Sequence, residues 1–388
     1  MKNQDTRASV DLKKYRKHII ITVFVFLLIF LVFAVYSFFD SYFYKKNSEA
    51  INDGGIVISS DNGGFPVTFT SDDIISADCI ASKMFVVTKK MLSSISTSGK
   101  VNCLSNFTYA EPTMVTGEKY GIVYDRAGSR YMLFNKSGVI NNFETDDKAQ
   151  IIAAAINDKG RYVLVTKSKN SACDVKIFDK NSKAVYIWKC SDEYVVSVDI
   201  SDDGEDIFCS AIGASDGVIY TKIYHLNIYE KKHVNEYIAE GSAVVDTKIN
   251  SKHNVIVTCD KSRLLIDPSA DKKESLNEIR YGADALACDS SDTGYSAVVS
   301  HKLGSFDKNE LTLYDKKNRI VYKCDIDSRV SDIICKGRTV YLLTENSIIV
   351  VSNGRITQTV TTDVIGTGMV VCENKLYYYS SGTLRTGK

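Results

Sequence analysis

The sequence predicts an all-β fold, an eight-bladed β-propeller, preceded by one N-terminal transmembrane α-helix. Three observations carry this expectation. Eight short apolar runs, each closed by a small polar residue, recur along the chain. Most of them sit within groups of strand-like segments whose spacing is near the roughly 40–45 residues of a four-stranded propeller blade. Ahead of them, 21 consecutive residues carry no charge, Gly or Pro.

The N-terminal elements come first. Residues 1–18 hold Lys2, Arg7, Lys13, Lys14, Arg16 and Lys17 against Asp5 and Asp11, a basic tail of +4 that leaves −3 for residues 40–388 of a chain with net charge +1. Ile19 to Phe39, "IIITVFVFLLIFLVFAVYSFF", rises 1.5 Å per residue as a helix, enough to cross a hydrocarbon core of about 30 Å. A buried core helix with no polar face would need protein on all sides. A cleaved signal peptide would need a shorter apolar region followed by small residues, whereas "DSYFYKK" follows here. Tyr42, Phe43 and Tyr44 suit the headgroup belt, and Lys45 and Lys46 can snorkel. Positive charge before the span keeps the tail cytoplasmic and places residues after Asp40 outside. Residues 40–54 read as a juxtamembrane linker and 55–388 as the extracytoplasmic propeller.

The eight runs end at Thr88, Asp125, Thr166, Ser210, Thr258, Ser300, Thr344 and Ser380, at intervals of 37, 41, 44, 48, 42, 44 and 36 residues. Most follow another apolar strand and a polar turn, as in "IIAAAINDKGRYVLVT", and several precede a second hairpin, as in "ELTLYDKKNRIVYKC". A β-sandwich would lack this fourfold grouping; seven blades is the nearer alternative. The last repeat is short, with only "SGTLRTGK" after "KLYYYS", while "GIVISSDNGGFPVTFT" (Gly55 to Thr70) is strand-like material ahead of the first repeat. An unpaired edge invites aggregation, so Phe65 to Thr70 is expected to complete the last blade, with Pro66 tolerable on an outermost strand.

The stretch "VDISDDGEDIF" places Asp199, Ser201 and Asp203 at alternate positions before Gly204, like the opening of a calcium loop, but its twelfth position is Ser210 where an EF-hand needs a bidentate Glu. "SDDG" occupies the same place as "NDKG" (Asn157 to Gly160) and "SDTG" (Ser291 to Gly294). Turn chemistry accounts for all three, so no metal site is expected.

In period and turn placement, residues 55–388 resemble the broad group of WD-repeat-like and quinoprotein-like propellers. No "GH" or "WD" dipeptide occurs, and Trp188 is the single tryptophan, so neither the WD signature nor a recurring blade tryptophan is present. One span followed by a divergent propeller is similar to single-pass membrane-anchored propeller proteins of Gram-positive bacteria. That resemblance implies an architecture and an address, and no activity.

No residue is singled out as catalytic, cofactor-binding or metal-ligating, and no cofactor is expected. The ten cysteines include no C-x-x-C spacing. Cys79, Cys335 and Cys372 each end the first strand of a repeat, in blades that adjoin in a closed ring, and are expected near one channel mouth as buried thiols rather than bridges. His225, His233, His253 and His301 lie in separate segments without a metal or paired-carboxylate motif, and no nucleophile elbow or phosphate loop occurs. The net charge of −3, with Lys alternating with Asp and Glu, excludes nucleic acid as the natural partner. "DKKESLNE" (Asp271 to Glu278) reads as a solvated hairpin tip, and the 23 tyrosines as ordinary strand residues.

The expected function is a plasma-membrane, single-pass binding or scaffolding module for a protein partner in the cell envelope, with a wall glycan as second choice of ligand. The rival is a hydrolase or lyase acting on an envelope polysaccharide in the channel, which carboxylates of perturbed ionisation at one mouth would favour. A sensor signalling through its tail is the third possibility, although 18 residues leave little room for a signalling domain.

Overall fold

The eight apolar runs are continuous rather than alternating because each becomes the second strand of a blade, covered by a neighbouring blade on both faces. Lys83–Thr88 is exposed at its first residue and buried at the next five, and all of Val255–Cys259 is buried. The computed structural model describes residues 56–58 and 64–387 apart from 71, 127, 251–252, 271–274 and 306–307. The expected basic tail, the membrane span at 19–39 and the linker 40–54 lie outside the described residues. Among those described, no helix is long and apolar enough to cross a membrane.

The strands form eight antiparallel sheets, seven of four strands and one of five. The innermost strands of blades 1 to 8 are Ile74–Ile80, Pro112–Thr116, Ile151–Ile156, Tyr194–Ile200, Val244–Ile249, Ala285–Ser290, Val330–Lys336 and Gly368–Cys372. Each lies beside the next, and the last lies beside the first, so the alternative of seven blades does not hold.

The ring closes as expected. Val67–Phe69 crosses to pair with Thr383–Thr386, opposing Val67 to Leu384 and Thr68 to Thr383. One detail differs, because Ile56–Ile58 pairs outside Val67–Phe69 as a fifth strand. Pro66 therefore stands just before the fourth strand of its blade, not on the outermost one.

Apolar clusters fill the seams between blades 1 and 2, 2 and 3, 3 and 4, 4 and 5, 6 and 7, 7 and 8, and 8 and 1. The seam between blades 5 and 6 is different. There Arg263 is fully buried; its Nε donates to Ser296 Oγ at 3.0 Å and its Nη2 to Gly294 O at 3.4 Å. Thr258 Oγ1 and Ser290 Oγ lie 3.2 Å apart beside it. Among the described residues Arg263 Nη1 has no hydrogen-bond partner.

The three expected turns are all present. Gly160 N, Gly204 N and Gly294 N donate to Asn157 O, Ser201 O and Ser291 O at 3.0, 2.8 and 2.9 Å, and all three glycines have positive φ (79°, 78° and 88°), the left-handed region that Gly enters without strain. Of the segment Asp271 to Glu278, expected as a solvated hairpin tip, Ser275 is instead buried and 276–278 belong to the outer strand Leu276–Arg280 of blade 5, paired to the strand before it, while 271–274 lie outside the described residues.

Candidate functional site

The channel has two mouths of different chemistry, because its eight walls all run in the same direction. At the end where the inner strands finish, a cavity of about 620 Å³ is lined by Asp78, Asp289, Asp332, Lys248, Lys336 and Tyr379, among others. The aspartates occupy two repeated positions. Asp78, Asp199 and Asp289 stand three residues after the bulged residue of their inner strands (Ile75, Val196 and Leu286), and Asp246 and Asp332 one after theirs (Val245 and Ser331).

Four of these carboxylates fasten one blade to the next. Asp199 accepts from its neighbour Ile200 N at 2.9 Å and from Ile249 N of blade 5 at 2.7 Å. Asp289 accepts from Cys335 N of blade 7 at 2.7 Å. Asp332 accepts from Ile333 N at 2.9 Å and from Met369 N of blade 8 at 2.8 Å. Asp78 accepts from Cys79 N at 2.7 Å and from the Thr116 hydroxyl of blade 2. Burial raises the carboxyls of Asp199 and Asp289 to about 6 and moves Asp246 and Asp332 in the same direction. Lys248 pairs with Asp292 at 3.1 Å. Burial works to lower its pKa, but Asp292, Asp199 and Asp246 together hold it above the usual value.

At the opposite mouth the inner strands begin, and six of them carry a β-bulge close to their start: Ile75, Ile152, Val196, Val245, Leu286 and Ser331. A bulge leaves its residue unpaired and re-aims the side chain. Ile75, Val196, Val245 and Leu286 are exposed, so equivalent positions place apolar groups around this mouth. Blade 4 adds a projection. Its second and third strands, Asp206–Ser215 and Val218–Asn227, are ten residues each, and their pairing continues through Ser215 and Val218, beyond the Tyr194 to Ile212 pair where the inner strand begins. Asp216 and Gly217 turn the hairpin with φ of 51° and 79°, the two positive angles of a type I′ turn. A Cβ at Gly213 would meet the tip of the Tyr220 ring at 2.4 Å, so a larger residue there would displace that ring. Val218 and Ile219 are 52% and 50% exposed, one on each face of the hairpin, and Tyr194, which the register puts on the face of Ile219, is 54% exposed.

The base of this hairpin is anchored by Glu193, which is buried. It accepts from Tyr224 Oη at 2.6 Å and Tyr220 Oη at 3.2 Å, and Lys222 Nζ stands 3.8 Å away. Trp188 lies with its ring centroid 4.9 Å from that of Tyr224.

The residues considered from sequence fall as follows. Cys79 and Cys372 form a disulfide with Cα atoms 5.5 Å apart, correcting the expectation of thiols at these two positions: the first and last inner strands bring the two Cα atoms inside the bonding range. Cys335 stays a buried thiol, donating to Tyr295 O at 3.7 Å and Gly337 O at 3.6 Å. In the former calcium-like stretch, Asp199 is committed to the backbone bonds above, and Asp203 accepts from Ser201 Oγ and Glu205 N at 2.5 and 3.0 Å. Among the described residues no group of three or more His, Cys, Asp or Glu side chains is placed to hold a metal ion. His225 stacks on Phe208 at 4.4 Å and meets Asp206 Oδ1 through Nε2 at 2.8 Å, while His233 lies edge-on to Trp188 and Tyr224.

The projecting hairpin was missed by sequence reading. Its signals were the longest interval, 48 residues between Ser210 and Thr258, and the Asp216–Gly217 dipeptide within it.

Solved structures share the fold. The C-terminal WD40 domain of Sif2 superposes with a TM-score of 0.59 at 12% identity, covering 82% of this chain and 96% of that one. Apo AztD from Citrobacter koseri gives 0.56 at 14% identity, covering 81% and 93%. At such identities the likeness is one of fold, a WD40-like propeller. No curated protein matches the sequence. A family model does match, over residues 67–381 and hence nearly all of the propeller, and the chain belongs to that family, described as a family of unknown function (DUF5711).

Proposed function

We propose that the protein is a membrane-anchored, extracytoplasmic binding or scaffolding module that holds a protein partner of the cell envelope against the mouth where its inner strands begin. The observation that supports this most is the hairpin of blade 4, which lifts Val218 and Ile219 beyond the blade beside exposed Tyr194. A rigid disc with one apolar, projecting face suits docking, because buried apolar area at the centre of an interface supplies most of its affinity. Anchoring rests on the uncharged stretch 19–39, and orientation on the basic tail before it.

The rival reading, a channel-sited hydrolase or lyase acting on an envelope polysaccharide, has one specific observation in its favour: the raised carboxyls of Asp199 and Asp289. Their lone pairs, however, are directed at backbone N–H groups of adjoining blades. A general acid or base needs its oxygen free to reach the substrate proton, so these groups serve the ring before they serve chemistry.

The test substitutes Val218→Asp and Ile219→Asp together in the full-length protein and isolates it from membranes after cross-linking. The expected result is one envelope protein recovered with the parent and lost with the variant, at an unchanged melting midpoint. Equal recovery with both would remove the hairpin from the interface. Consumption of a wall polysaccharide by the parent but not by Asp289→Asn would replace the docking reading with the enzymatic one.

A further inference from the structure

Cys173 and Cys190 stand directly opposite one another on the third and fourth strands of blade 3, Cys173–Phe178 and Ala184–Cys190. Opposed residues of an antiparallel pair share a face with Cα atoms about 4.5–5.5 Å apart, within the range a disulfide spans, and their Cβ atoms, about 4.5–5.5 Å apart, need only close to about 3.5–4.5 Å for the bond to form. No other cysteine among the described residues faces a cysteine across a strand pair: Cys103 opposes Ser93, Cys209 opposes Val198, Cys259 opposes Val244, Cys288 opposes Val298, Cys324 opposes Leu311 and Cys335 opposes Val340. Both thiols are withdrawn from solvent, at 0% and 1% exposure.

We propose that Cys173 and Cys190 are joined in a second disulfide, formed by exchange with a disulfide-class oxidant, which fixes the segment that anchors the hairpin of blade 4. The site lies at that anchor: Cys173 Sγ donates to Glu193 O at 3.9 Å, and only Ser191 and Asp192 separate Cys190 from Glu193. Cys190 is the first nucleophile. It ends the outermost strand, whose opening admits the oxidant, and the neighbouring Cys173 thiol, helped by the backbone at Glu193 and Asp192, holds its own thiol below the usual value against the effect of burial, which enriches the reactive thiolate. That thiolate attacks one sulfur of the oxidant and displaces a thiolate. Cys173 then loses its proton and attacks Cys190 Sγ, displacing the second. Two protein thiols give up two protons and two electrons, and the oxidant's disulfide becomes two thiols.

Oxidation in the cell rests on the extracytoplasmic reading, so the experiment separates the two. Full-length protein in membranes is denatured and alkylated without reduction, then reduced, labelled with a second alkylating reagent and mapped by mass. The expected result is the second label on Cys79, Cys372, Cys173 and Cys190 and the first label on the other six cysteines, with Cys209→Ser unchanged in this pattern. First label on Cys173 and Cys190 with second label on Cys79 and Cys372 overturns the proposal and leaves the location standing. First label on all ten instead counts against the location, and the purified protein is then treated with oxidised glutathione. Bridging of Cys173 to Cys190 upholds the site, whereas no bridge, or a bridge to Cys209, overturns it.

Discussion

Cys79 and Cys372, 293 positions apart in sequence, are bonded where the first and last blades meet. Asp78, the residue before Cys79, fastens blade 1 to Thr116 of blade 2, so one short segment secures its blade on both sides. Cross-linking so long a loop removes chain entropy from the unfolded state, about 6 kcal/mol in the loop-entropy model. Replacing both cysteines by serine is expected to lower stability by roughly 2–5 kcal/mol. With Cys173 and Cys190 also replaced by serine in both proteins, a reductant should bring the midpoint of the one that keeps Cys79 and Cys372 down to that of the one that lacks them and leave the latter where it is. Coincident midpoints without reductant would show that the bond adds nothing to closure.

The strand Val67–Phe69 closes the same seam by different means. Phe69 and Val67 are buried in the apolar cluster of blades 8 and 1, and Phe69 N donates to Gly382 O at 2.7 Å. Phe69→Ala is expected to destabilise by about 3–5 kcal/mol, and deletion of residues 55–70 by more. Because strand and disulfide restrain the same two blades, each limits the damage from losing the other. Denaturant unfolding of the combined variant should therefore show a loss greater than the sum of the two separate losses; simple additivity would mean that they act independently.

The ring and its closure were legible because a blade's second strand must be apolar throughout, which stamps a countable period on the chain. Three other features depend on which faces meet, and a period carries no such information. That Cys79 and Cys372 would share a mouth followed from their positions, but their 5.5 Å separation is set by how the two inner strands approach. Arg263 in "SRLLID" reads as a surface residue, and only the small Ser290 and Ser296 across the seam leave room for its guanidinium. The apolar mouth was illegible because the bulges at Ile75, Val196, Val245 and Leu286 turn outward residues that an unbroken alternation would have assigned otherwise.

The carboxylates of the channel predict an unusual pH dependence. Asp199 and Asp289 titrate near 6 when folded and near 3.9 when unfolded. The folded state therefore binds more protons between these values, and stability falls as pH rises through that window. Asp246 and Asp332 shift in the same direction. Asp203, Asp206, Asp315 and Asp325 shift downward, so their stabilising contribution is lost only at lower pH. The midpoint is expected to drop on the order of a few degrees between pH 4.5 and 6.5. Asp289→Asn retains an oxygen that can accept from Cys335 N and should flatten part of this slope. A midpoint rising over the same interval would contradict the placement of these groups.

Arg263 supplies the last prediction. It is fully buried between blades 5 and 6, and among the described residues its Nη1 has no hydrogen-bond partner. Asp315, the carboxylate that acts on it, is itself engaged by Arg319 at 2.6 and 2.9 Å. Burial depresses the guanidinium to about 10, the sign of a charge held at a cost. A buried charge without a good partner is destabilising relative to an apolar side chain of similar length. Arg263→Met should therefore leave stability unchanged or raise it by about 1–4 kcal/mol, while Arg263→Ala, which opens a cavity, should lower it. The comparison discriminates between two origins of this polar seam. If Met stabilises and partner recovery from membranes is unaffected, the arginine is a tolerated defect of one seam in eight. If Met stabilises but partner recovery falls, the seam is kept polar for function, since blades 5 and 6 then need freedom to shift that an apolar core would remove. Destabilisation by Met as large as that by Ala would show that the two hydrogen bonds to Ser296 and Gly294 outweigh the burial of the charge.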